Sequence, residues 1–427
     1  MSAMKIGMMV GAILLVGACS LTGCVAEEDS SISDEVAGDV QMTSEDEGVE
    51  GGADGLDSTG REEVQDVPVY GSDLLIVEAG DFHDGVAWID TGETRTGHDY
   101  LVDRDGRVLI DYVEQSGAGN QVPDKVSSFC SGTALVQDGD AFCLINHQGE
   151  SVVDIVNEAF EEGERVFGSD SVKRVEIAWP YEDNYRGYVL VTLYLDTFDY
   201  TGEAHGVIAG DGSWAIDFPA ISSMCDGSDG SDPDPYVLQA GNSAVLTRTG
   251  EVVDSPSTIG YFYQFEYNGE MLEHTELRKR EVAKEHNGYL WDIGGVFDDG
   301  SAYENPETGE RLIVEGRSKG IVSGEEFNGG YAIVTITNNG GSGYLTVIDT
   351  SGSWLFDPVK DNGHSGVSPE GFFYVDGEDG EGSYRSVSGD LLSTVRGYDG
   401  TAFSEGRAWI TIDGSRRCVD ENGEIVF

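Results

Sequence analysis

Positive charge is scarce in this chain. Only 24 Lys and Arg residues oppose 80 Asp and Glu residues, which gives a formal net charge of -56. Residues 1–24 contribute +1 and residues 25–66 contribute -14, so residues 67–427 carry -43. A surface this acidic repels nucleic-acid phosphates and anionic lipid headgroups. The composition therefore predicts that nucleic acid is not a partner.

Histidine is also scarce, and the familiar catalytic motifs are absent. The seven histidines are scattered, no two lie at a helical metal-ligand spacing, and no His-Glu-x-x-His occurs. Neither a Gly-x-Ser-x-Gly elbow nor a phosphate-binding Gly-x-x-x-x-Gly-Lys-[Ser/Thr] loop is present. The sequence therefore predicts no catalytic residue, no cofactor, no metal site and no enzymatic activity.

Long apolar runs are limited to one, Ile6 to Ala18, which follows Lys5 and is too short to span a bilayer. This pattern predicts an export signal over residues 1–23. The stretch Leu21 to Cys24 resembles the bacterial lipobox. There, a signal peptidase cuts before the cysteine, and the cysteine thiol carries a diacylglycerol with acyl chains such as palmitate. Lipidated Cys24 would hold the protein on the cell membrane, facing outside the cytoplasm. A plain secretory signal with an incidental cysteine is the alternative, and Cys19 is a poorer second candidate.

Aromatic residues are absent from residues 25–66, where fifteen acidic residues accompany a single basic one, Arg61. Such a segment cannot bury enough apolar surface to offset the entropy of ordering. We predict that residues 24–66 form a lipid-anchored, disordered acidic tether, with an acidic interaction tail as the alternative. Residues 67–427 remain as the folded domain.

Cysteine is sparse beyond the lipidated position, with four residues at 130, 143, 225 and 418. Four cysteines allow three disulfide connectivities, and sequence cannot choose among them. A two-residue turn at Asp138-Gly139 would place Ala134 opposite Cys143. Cys130 would then lie beyond disulfide reach of Cys143.

The chain does contain an internal sequence repeat. The phrase Phe-x-x-Gly-x-Ala-x-[Val/Ile] occurs four times, and a second phrase, [Asp/Asn]-x-x-Gly, follows each copy. The first phrase begins at Phe82, Phe129, Phe327 and Phe403. Weaker copies fill the gaps, so the first glycine series occupies positions 85, 132, 187, 241, 288, 330, 371 and 406. The second series occupies positions 106, 149, 212, 250, 309, 352, 389 and 423.

Each repeat unit reads as short strands joined by turns. Residues after the first glycine alternate in polarity, and the second glycine separates two apolar runs, as in a hairpin. Units of about 45 residues with several strands have the size of a propeller blade. We predict an all-β repeat protein of about seven to eight antiparallel units. A β-propeller is favoured because a closed ring hides its sheet edges; an open β array is the alternative.

Two further structural expectations concern the ends of the repeat and its few helices. The apolar run Leu74 to Val77 precedes the first unit, and we expect this strand to complete the final blade. Short helices are plausible only at Asp154–Glu162 and Leu277–Lys284.

The two phrases resemble the bacterial WG repeat, whose pattern is Phe-x-x-Gly-Leu-Ala-x-Val followed by Trp-Gly-Tyr-Ile-Asp-x-x-Gly. The resemblance covers roughly residues 68–427. Its Trp-Gly pair is missing from the strong units, which hold instead Asp99-Tyr100, Phe142-Cys143, Leu345-Thr346 and Arg417-Cys418. The resemblance implies repetitive β structure with a binding or scaffolding role, and it supplies no catalytic residue.

Three local features are candidate binding sites. Asp226 to Asp234 is rich in the oxygen ligands that calcium prefers, although an ordinary solvated loop has the same composition. Aromatic residues at 261, 263, 265 and 267 could stack on a sugar or peptide, but packing inside the sheet is the simpler interpretation. The basic stretch Arg278 to Arg280 could dock an acidic partner or could be a solvated edge.

These observations favour a surface-displayed, lipid-anchored β-repeat protein that binds or scaffolds an extracellular protein or glycan. An exported propeller enzyme acting on glycans is the alternative from another class. Convergence of two carboxylates and several aromatics in one central pocket would favour the enzyme.

Overall fold

The chain folds as a series of short antiparallel hairpins closed by the repeated glycines. The computed structural model describes residues 71, 74–94, 97–117, 122–180, 185–196, 201–218, 234–255, 257–259, 262–291, 302–314, 321–337, 343–377, 381–392 and 395–427. Every glycine of the first series has a positive φ, from +62° to +94°, and every glycine of the second has one from +68° to +85°. Glycine adopts this conformation without steric cost. Both glycine series are therefore turn positions, as predicted.

The described strands form nine antiparallel sheets of two to four strands, numbered here in chain order. The first three sheets contain β1 (Glu78–Ala79), β2 (Val86–Asp90), β3 (Tyr100–Asp103), β4 (Val108–Asp111); β5 (Lys125–Val126), β6 (Ala134–Asp138), β7 (Ala141–Ile145), β8 (Ser151–Asp154); and β9 (Val172–Ile177), β10 (Tyr188–Asp196), β11 (Thr201–Ala209), β12 (Trp214–Ile216). The next three contain β13 (Val237–Ala240), β14 (Ser243–Leu246), β15 (Glu251–Asp254); β16 (Ser257–Ile259), β17 (Phe262–Tyr267), β18 (Glu270–Glu273); and β19 (Leu290–Trp291), β20 (Ala302–Glu304), β21 (Arg311–Ile313). The last three contain β22 (Ile321–Gly324), β23 (Tyr331–Thr337), β24 (Gly343–Asp349), β25 (Val359–Lys360); β26 (Phe372–Val375), β27 (Ser383–Ser386); and β28 (Arg407–Ile412), β29 (Ser415–Asp420).

Three helices follow the last strand of a sheet: α1 (Tyr112–Gly117), α2 (Ile155–Phe167) and α3 (His274–Glu285). Both predicted helices are present, each longer than the sequence indicated. The Asp154 carboxylate accepts a hydrogen bond from the Asn157 amide and so caps the start of α2. Helix α1 was not predicted because six residues are too few to show a helical period. None of the helices in the described ranges has the length and apolar character needed to cross a bilayer.

The hydrophobic core lies between neighbouring sheets. Each of its eight clusters combines buried side chains from two consecutive sheets, for example the first with the second and the eighth with the ninth. One cluster joins the two ends of the series, because Trp409, Cys418 and Phe427 of the ninth sheet pack with Phe82 and Ile89 of the first. The sheets therefore form a closed ring, and the fold is a β-propeller.

Four glycines of the first series make hydrogen bonds that join neighbouring sheets. In each, the glycine amide of one sheet donates to the side chain that directly precedes the glycine of the sheet before it. The bonds are Gly132 N to Asp84 Oδ2 (2.7 Å), Gly330 N to Asn287 Oδ1 (2.9 Å), Gly406 N to Glu370 Oε1 (3.1 Å) and Gly85 N to Glu405 Oε2 (2.6 Å). The last of them links the ninth sheet back to the first.

A second series of contacts uses the glycines of the [Asp/Asn]-x-x-Gly phrase. At four of these glycines, the covering side chain comes from the residue four positions after the corresponding glycine of the preceding sheet. Ile110 lies on Gly149, Val153 on Gly212, Phe356 on Gly389 and Phe427 on Gly106; in each case a Cβ on the glycine would lie 2.6–3.4 Å from the covering side chain. At Gly106 and Gly389, where this distance is below 3.0 Å, glycine is required for close approach as well as for backbone conformation.

Two sequence predictions about strand pairing were wrong. Strand β1 pairs with β2 in the first sheet, and residues 425–427 supply the outer pairing of β29, so only the Ile76 carbonyl joins the final sheet, by accepting from the Arg416 amide at 2.9 Å. In the second sheet, Cys143 pairs with Val136, because the two-residue turn is Gly139-Asp140. Gly139, with φ of +58°, takes the first turn position.

The eight predicted units correspond to eight of the nine sheets. The fifth sheet, β16–β18, lies between the copies at Gly241 and Gly288 and has no described glycine of either series. Its strands carry aromatic residues where the other units carry the repeated phrase, and this substitution concealed the unit in the sequence.

Candidate functional site

The lipidation candidate Cys24 lies outside the described residues, as do Asp226 to Pro233 of the calcium candidate and Cys225. The remaining member of that loop, Asp234, already has partners. Its Oδ1 accepts from the amides of Tyr236 and Val237, and its Oδ2 is paired with Arg278 Nε. Within the described ranges, no three His, Cys, Asp or Glu side chains are placed to hold a metal ion.

The aromatic stretch of the fifth sheet is packed inside the protein. Phe265 and Tyr267 are buried in the cluster between the fourth and fifth sheets, and Tyr263 packs against that cluster. Tyr261 lies outside the described residues. Packing, the simpler of the two interpretations, is confirmed for the three residues that can be examined.

The basic stretch lies on α3 and is already neutralised by acidic neighbours. Arg278 pairs with Asp234, Lys279 with Glu276 and Arg280 with Glu270. These contacts are internal to the domain, so they do not support this stretch as the docking site for an acidic partner.

Cys130 and the fully buried Cys418 have free thiols. Burial raises the pKa of the Cys418 thiol to about 12. A thiol with so high a pKa is protonated at neutral pH and has little nucleophilic character.

The Asp and Asn residues of the second phrase serve as turn acceptors. Oδ1 of Asp103 accepts from the Asp105 and Arg107 amides, and Oδ1 of Asp420 does the same for Asn422 and Glu424. Asn146 and Asp349 repeat this arrangement in other sheets. Side-chain acceptors of this kind stabilise turns, so the repeat assigns these polar groups to structure.

Antiparallel order gives the ring two different ends. In the four-stranded sheets, both glycine series lie at the end where the first strand turns into the second and the third into the fourth; we call this the turn end. Connections between second and third strands lie at the opposite end, which we call the loop end. The repeat dictates the turn end, so variable residues available for recognition concentrate at the loop end.

The described part of the loop there that connects β2 to β3 is organised by one buried carboxylate. Asp99 has no solvent exposure. Its Oδ2 accepts from Thr91 N (2.8 Å), Thr91 Oγ1 (2.6 Å) and Glu93 N (3.0 Å), and its Oδ1 accepts from Thr94 N (2.9 Å). Burial alone would raise the pKa of Asp99, but these hydrogen bonds hold it well below its usual range. We call the described residues 91–94 and 97–98 the Asp99 loop.

Aromatic side chains pack against the Asp99 loop. The Tyr112 amide, at the start of α1, donates to the Asp99 carbonyl at 3.0 Å. The Tyr112 ring stacks on Trp88 with centroids 5.7 Å apart, and His98 meets Trp88 edge-on at 5.8 Å. Trp88 in turn donates through Nε1 to the Ser127 carbonyl of the second sheet. The loop is therefore held by both the first and the second sheets.

Acidic side chains surround the loop. Glu93 and Glu114 are exposed, Asp90 and Asp111 are half-buried, and both aspartates accept backbone amides nearby. Burial, together with the charges of Asp111, Glu93 and Asp99, raises the pKa of Tyr100 to about 12. The site presents an anionic surface suited to a cationic group. Sequence reasoning noted Asp99 only as a departure from the WG pattern, and that departure was the available signal.

A second polar cluster joins the seventh and eighth sheets. His364 donates to a carboxylate from each ring nitrogen, with Nδ1 3.0 Å from Asp361 Oδ1 and Nε2 3.1 Å from Glu325 Oε1. Burial by itself lowers the pKa of His364, but the hydrogen bonds and charges of the two carboxylates raise it to about 9. At neutral pH this histidine is a cation between two anions. A protonated imidazole is neither a general base nor a metal ligand, so the cluster acts as an intersheet ion bridge.

We expect stability to fall as pH rises from 6.5 through 9, because His364 releases its proton more easily when the protein is unfolded. The contribution is fully present below pH 6.5 and absent above about 9. Its size should be about 1–2 kcal/mol, because solvent around half-exposed Glu325 weakens the bridge. Urea denaturation across this pH range measures it.

His364→Gln is the control for that experiment, because glutamine keeps the polarity without the titration. The variant should lose most of the pH dependence between 6.5 and 9. An unchanged slope in the variant would assign the effect to another group.

Comparisons with known proteins give distant structural neighbours. The chain is similar to the WD40 domain of SCAP from fission yeast, at 10% identity and a TM-score of 0.36, over 84% of this chain and 98% of that one. A eukaryotic initiation factor matches at 8% identity and a TM-score of 0.35, over 77% and 92%. BamB from Moraxella catarrhalis matches at 12% identity and a TM-score of 0.24, over 83% and 86%. No family model and no curated protein sequence matches the chain, so membership of the WG repeat family stays a prediction.

Proposed function

We propose that this protein is an exported binding or scaffolding propeller, held on the outer side of the cell membrane by a lipid on Cys24. The observation that supports a binding role is that the residues of the repeat serve the fold, whereas the loop residues outside the repeat do not. The repeated polar residues and glycines are used to close turns and join sheets. The preorganised Asp99 loop, which the repeat does not dictate, is then the surface most suited to a partner.

The partner we propose is an extracellular protein that presents Lys or Arg side chains to the loop end. Residues 67–427 carry a net charge of -43, and the Asp99 loop adds the Glu93 carboxylate beside those of Asp90 and Asp111. Opposite charges steer encounter and raise the association rate. The backbone of residues 91–94 loses little conformational entropy on binding, because the Asp99 carboxylate already holds three of its amides.

The anchor is tested with Cys24→Ser in cells that express the full chain. We expect the parent protein to sediment with membranes and to incorporate a labelled fatty acid, and the variant to lose the label and be released. Cys19→Ser is the matched control and should behave as the parent. Labelling that survives Cys24→Ser would contradict the assignment.

The binding surface is tested by site-specific photocrosslinking in intact cells. A photoreactive residue at Glu93, on the Asp99 loop, should give one dominant adduct with a basic protein. The same residue at Asp105, whose side chain is 89% exposed at the turn end, should not. The adduct should weaken with rising salt, as charge steering requires. Equal adducts at both positions, or none at Glu93, would refute the proposed surface.

A further inference from the structure

Five Asn-Gly pairs lie within the described residues: Asn268-Gly269, Asn287-Gly288, Asn328-Gly329, Asn362-Gly363 and Asn422-Gly423. This dipeptide is the one in which asparagine most readily deamidates, because glycine leaves its amide nitrogen sterically open to attack the side-chain carbonyl. Attack requires the carboxamide to rotate onto that nitrogen. A hydrogen bond that holds the carboxamide elsewhere therefore slows the reaction.

Four of the five carboxamides are held in this way. Asn287 accepts from the Gly330 amide at 2.9 Å, and Asn328 donates to the Val367 carbonyl at 3.0 Å. Asn362 donates to the Asp376 carbonyl at 3.3 Å, and Asn422 donates to Asp420 Oδ2 at 3.3 Å. Three of these bonds cross between sheets or distant segments, so rotation of the side chain would also break contacts of the ring.

Asn268 differs. It occupies the two-residue turn between β17 and β18, where Tyr267 pairs with Glu270, and it is exposed. Its carboxamide has no hydrogen-bond partner among the residues that the structure describes. The backbone gives a close comparison, because Asn268 and Asn287 both have positive φ, +51° and +56°, and the glycines that follow have +80° and +84°. The two sites thus have the same backbone conformation and differ in whether a hydrogen bond holds the asparagine side chain.

We infer that Asn268 is a site of spontaneous deamidation, the first of the five to react in the folded protein. The Gly269 nitrogen bonds to the side-chain carbonyl carbon of Asn268, and the side-chain nitrogen leaves as ammonia, which forms a five-membered succinimide. Water then adds to either carbonyl of the ring and opens it to aspartate or isoaspartate. The net change replaces ammonia with water and needs no oxidant or enzyme.

The modification would alter the fifth sheet. Either product adds a negative charge between Glu266 and Glu270. The isoaspartate product also lengthens the backbone by one methylene, which a two-residue turn cannot accommodate without loss of the Tyr267–Glu270 pairing. Tyr267 donates to buried Glu281 of α3, so the disturbance reaches the helix as well.

The test is peptide mapping by mass spectrometry after incubation of the folded full chain at mildly alkaline pH. We expect deamidation at Asn268 to exceed that at Asn287 by about threefold to tenfold, the range of one net hydrogen bond. In urea above the unfolding transition, the two rates should converge, because the difference depends on folding. Asn268→Ser should abolish the signal at this turn and leave the other four rates unchanged.

Two outcomes would overturn the inference. Equal rates at Asn268 and Asn287 in the folded protein would show that the side-chain hydrogen bond gives no protection. A rate difference that persists in urea would assign the order to local sequence instead of structure.

Discussion

Replacing Phe427 with alanine should lower the free energy of unfolding by about 3–5 kcal/mol, the range for removing a buried phenylalanine ring. Phe427 is only 4% exposed. Its ring covers Gly106 and Gly71 of the first sheet and meets Trp409 edge-on at a centroid distance of 5.6 Å. Removing it leaves a cavity at the contact between the ninth and first sheets, where the two glycines have no side chains with which to refill the space. The shift in the urea midpoint measures the loss.

Ile425→Ala is the matched control, because Ile425 lies two residues away on the same outer segment and is 50% exposed. It should cost less than about 1 kcal/mol. A second check is tryptophan fluorescence, since Trp409 should respond to Phe427→Ala and not to Ile425→Ala. Similar losses for the two variants would mean that this contact does not close the ring.

Gly329→Ala should destabilise the protein by about 2–5 kcal/mol, combining a left-handed backbone with steric overlap. Gly329 has φ of +57°, and a Cβ there would lie 2.3 Å from the Pro369 carbonyl oxygen and 2.6 Å from the Pro369 Cα. These are backbone atoms of the next sheet, so a side-chain rotation cannot relieve the overlap. The seventh and eighth sheets would have to separate.

The neighbouring Gly330 supplies the control. It has φ of +94°, but a Cβ there would meet nothing within 4 Å. Gly330→Ala should therefore show the backbone cost alone, about 1–2 kcal/mol. Equal losses for the two variants would show that the approach of Pro369 is unimportant. Hydrogen exchange of β23 and β26 amides would locate the separation in Gly329→Ala.

The repeat made much of this fold predictable. A glycine that recurs at the same place in a repeated phrase indicates a turn even where the flanking residues differ. Both glycine series were therefore found, including the decayed copies at Gly241 and Gly288. The helices α2 and α3 were found because each is long enough to carry a pattern. The fold class followed, since units of that size must stack to bury their apolar faces.

What escaped prediction depends on contacts between distant units. The local sequence around Phe427 does not indicate that this residue covers Gly106, over three hundred residues earlier. The local sequence around Asp99 does not indicate that its carboxylate is buried. The two-residue turn at Gly139-Asp140 could have been placed one residue earlier, and only packing of Val136 and Cys143 against neighbouring sheets selects the register. A local sequence pattern indicates a strand, a helix or a turn, and tertiary contacts determine which element it pairs or packs with.

The core cluster shared by the ninth and first sheets also has a kinetic consequence. An open row of repeats can fray from either end, one unit at a time, and each step exposes a single new face. In a ring, the first unit to detach must part from two neighbours at once, so opening begins with a high barrier and then proceeds easily. Slow unfolding with few populated intermediates should follow, and with it resistance to proteases that cleave the unfolded chain, even at modest equilibrium stability.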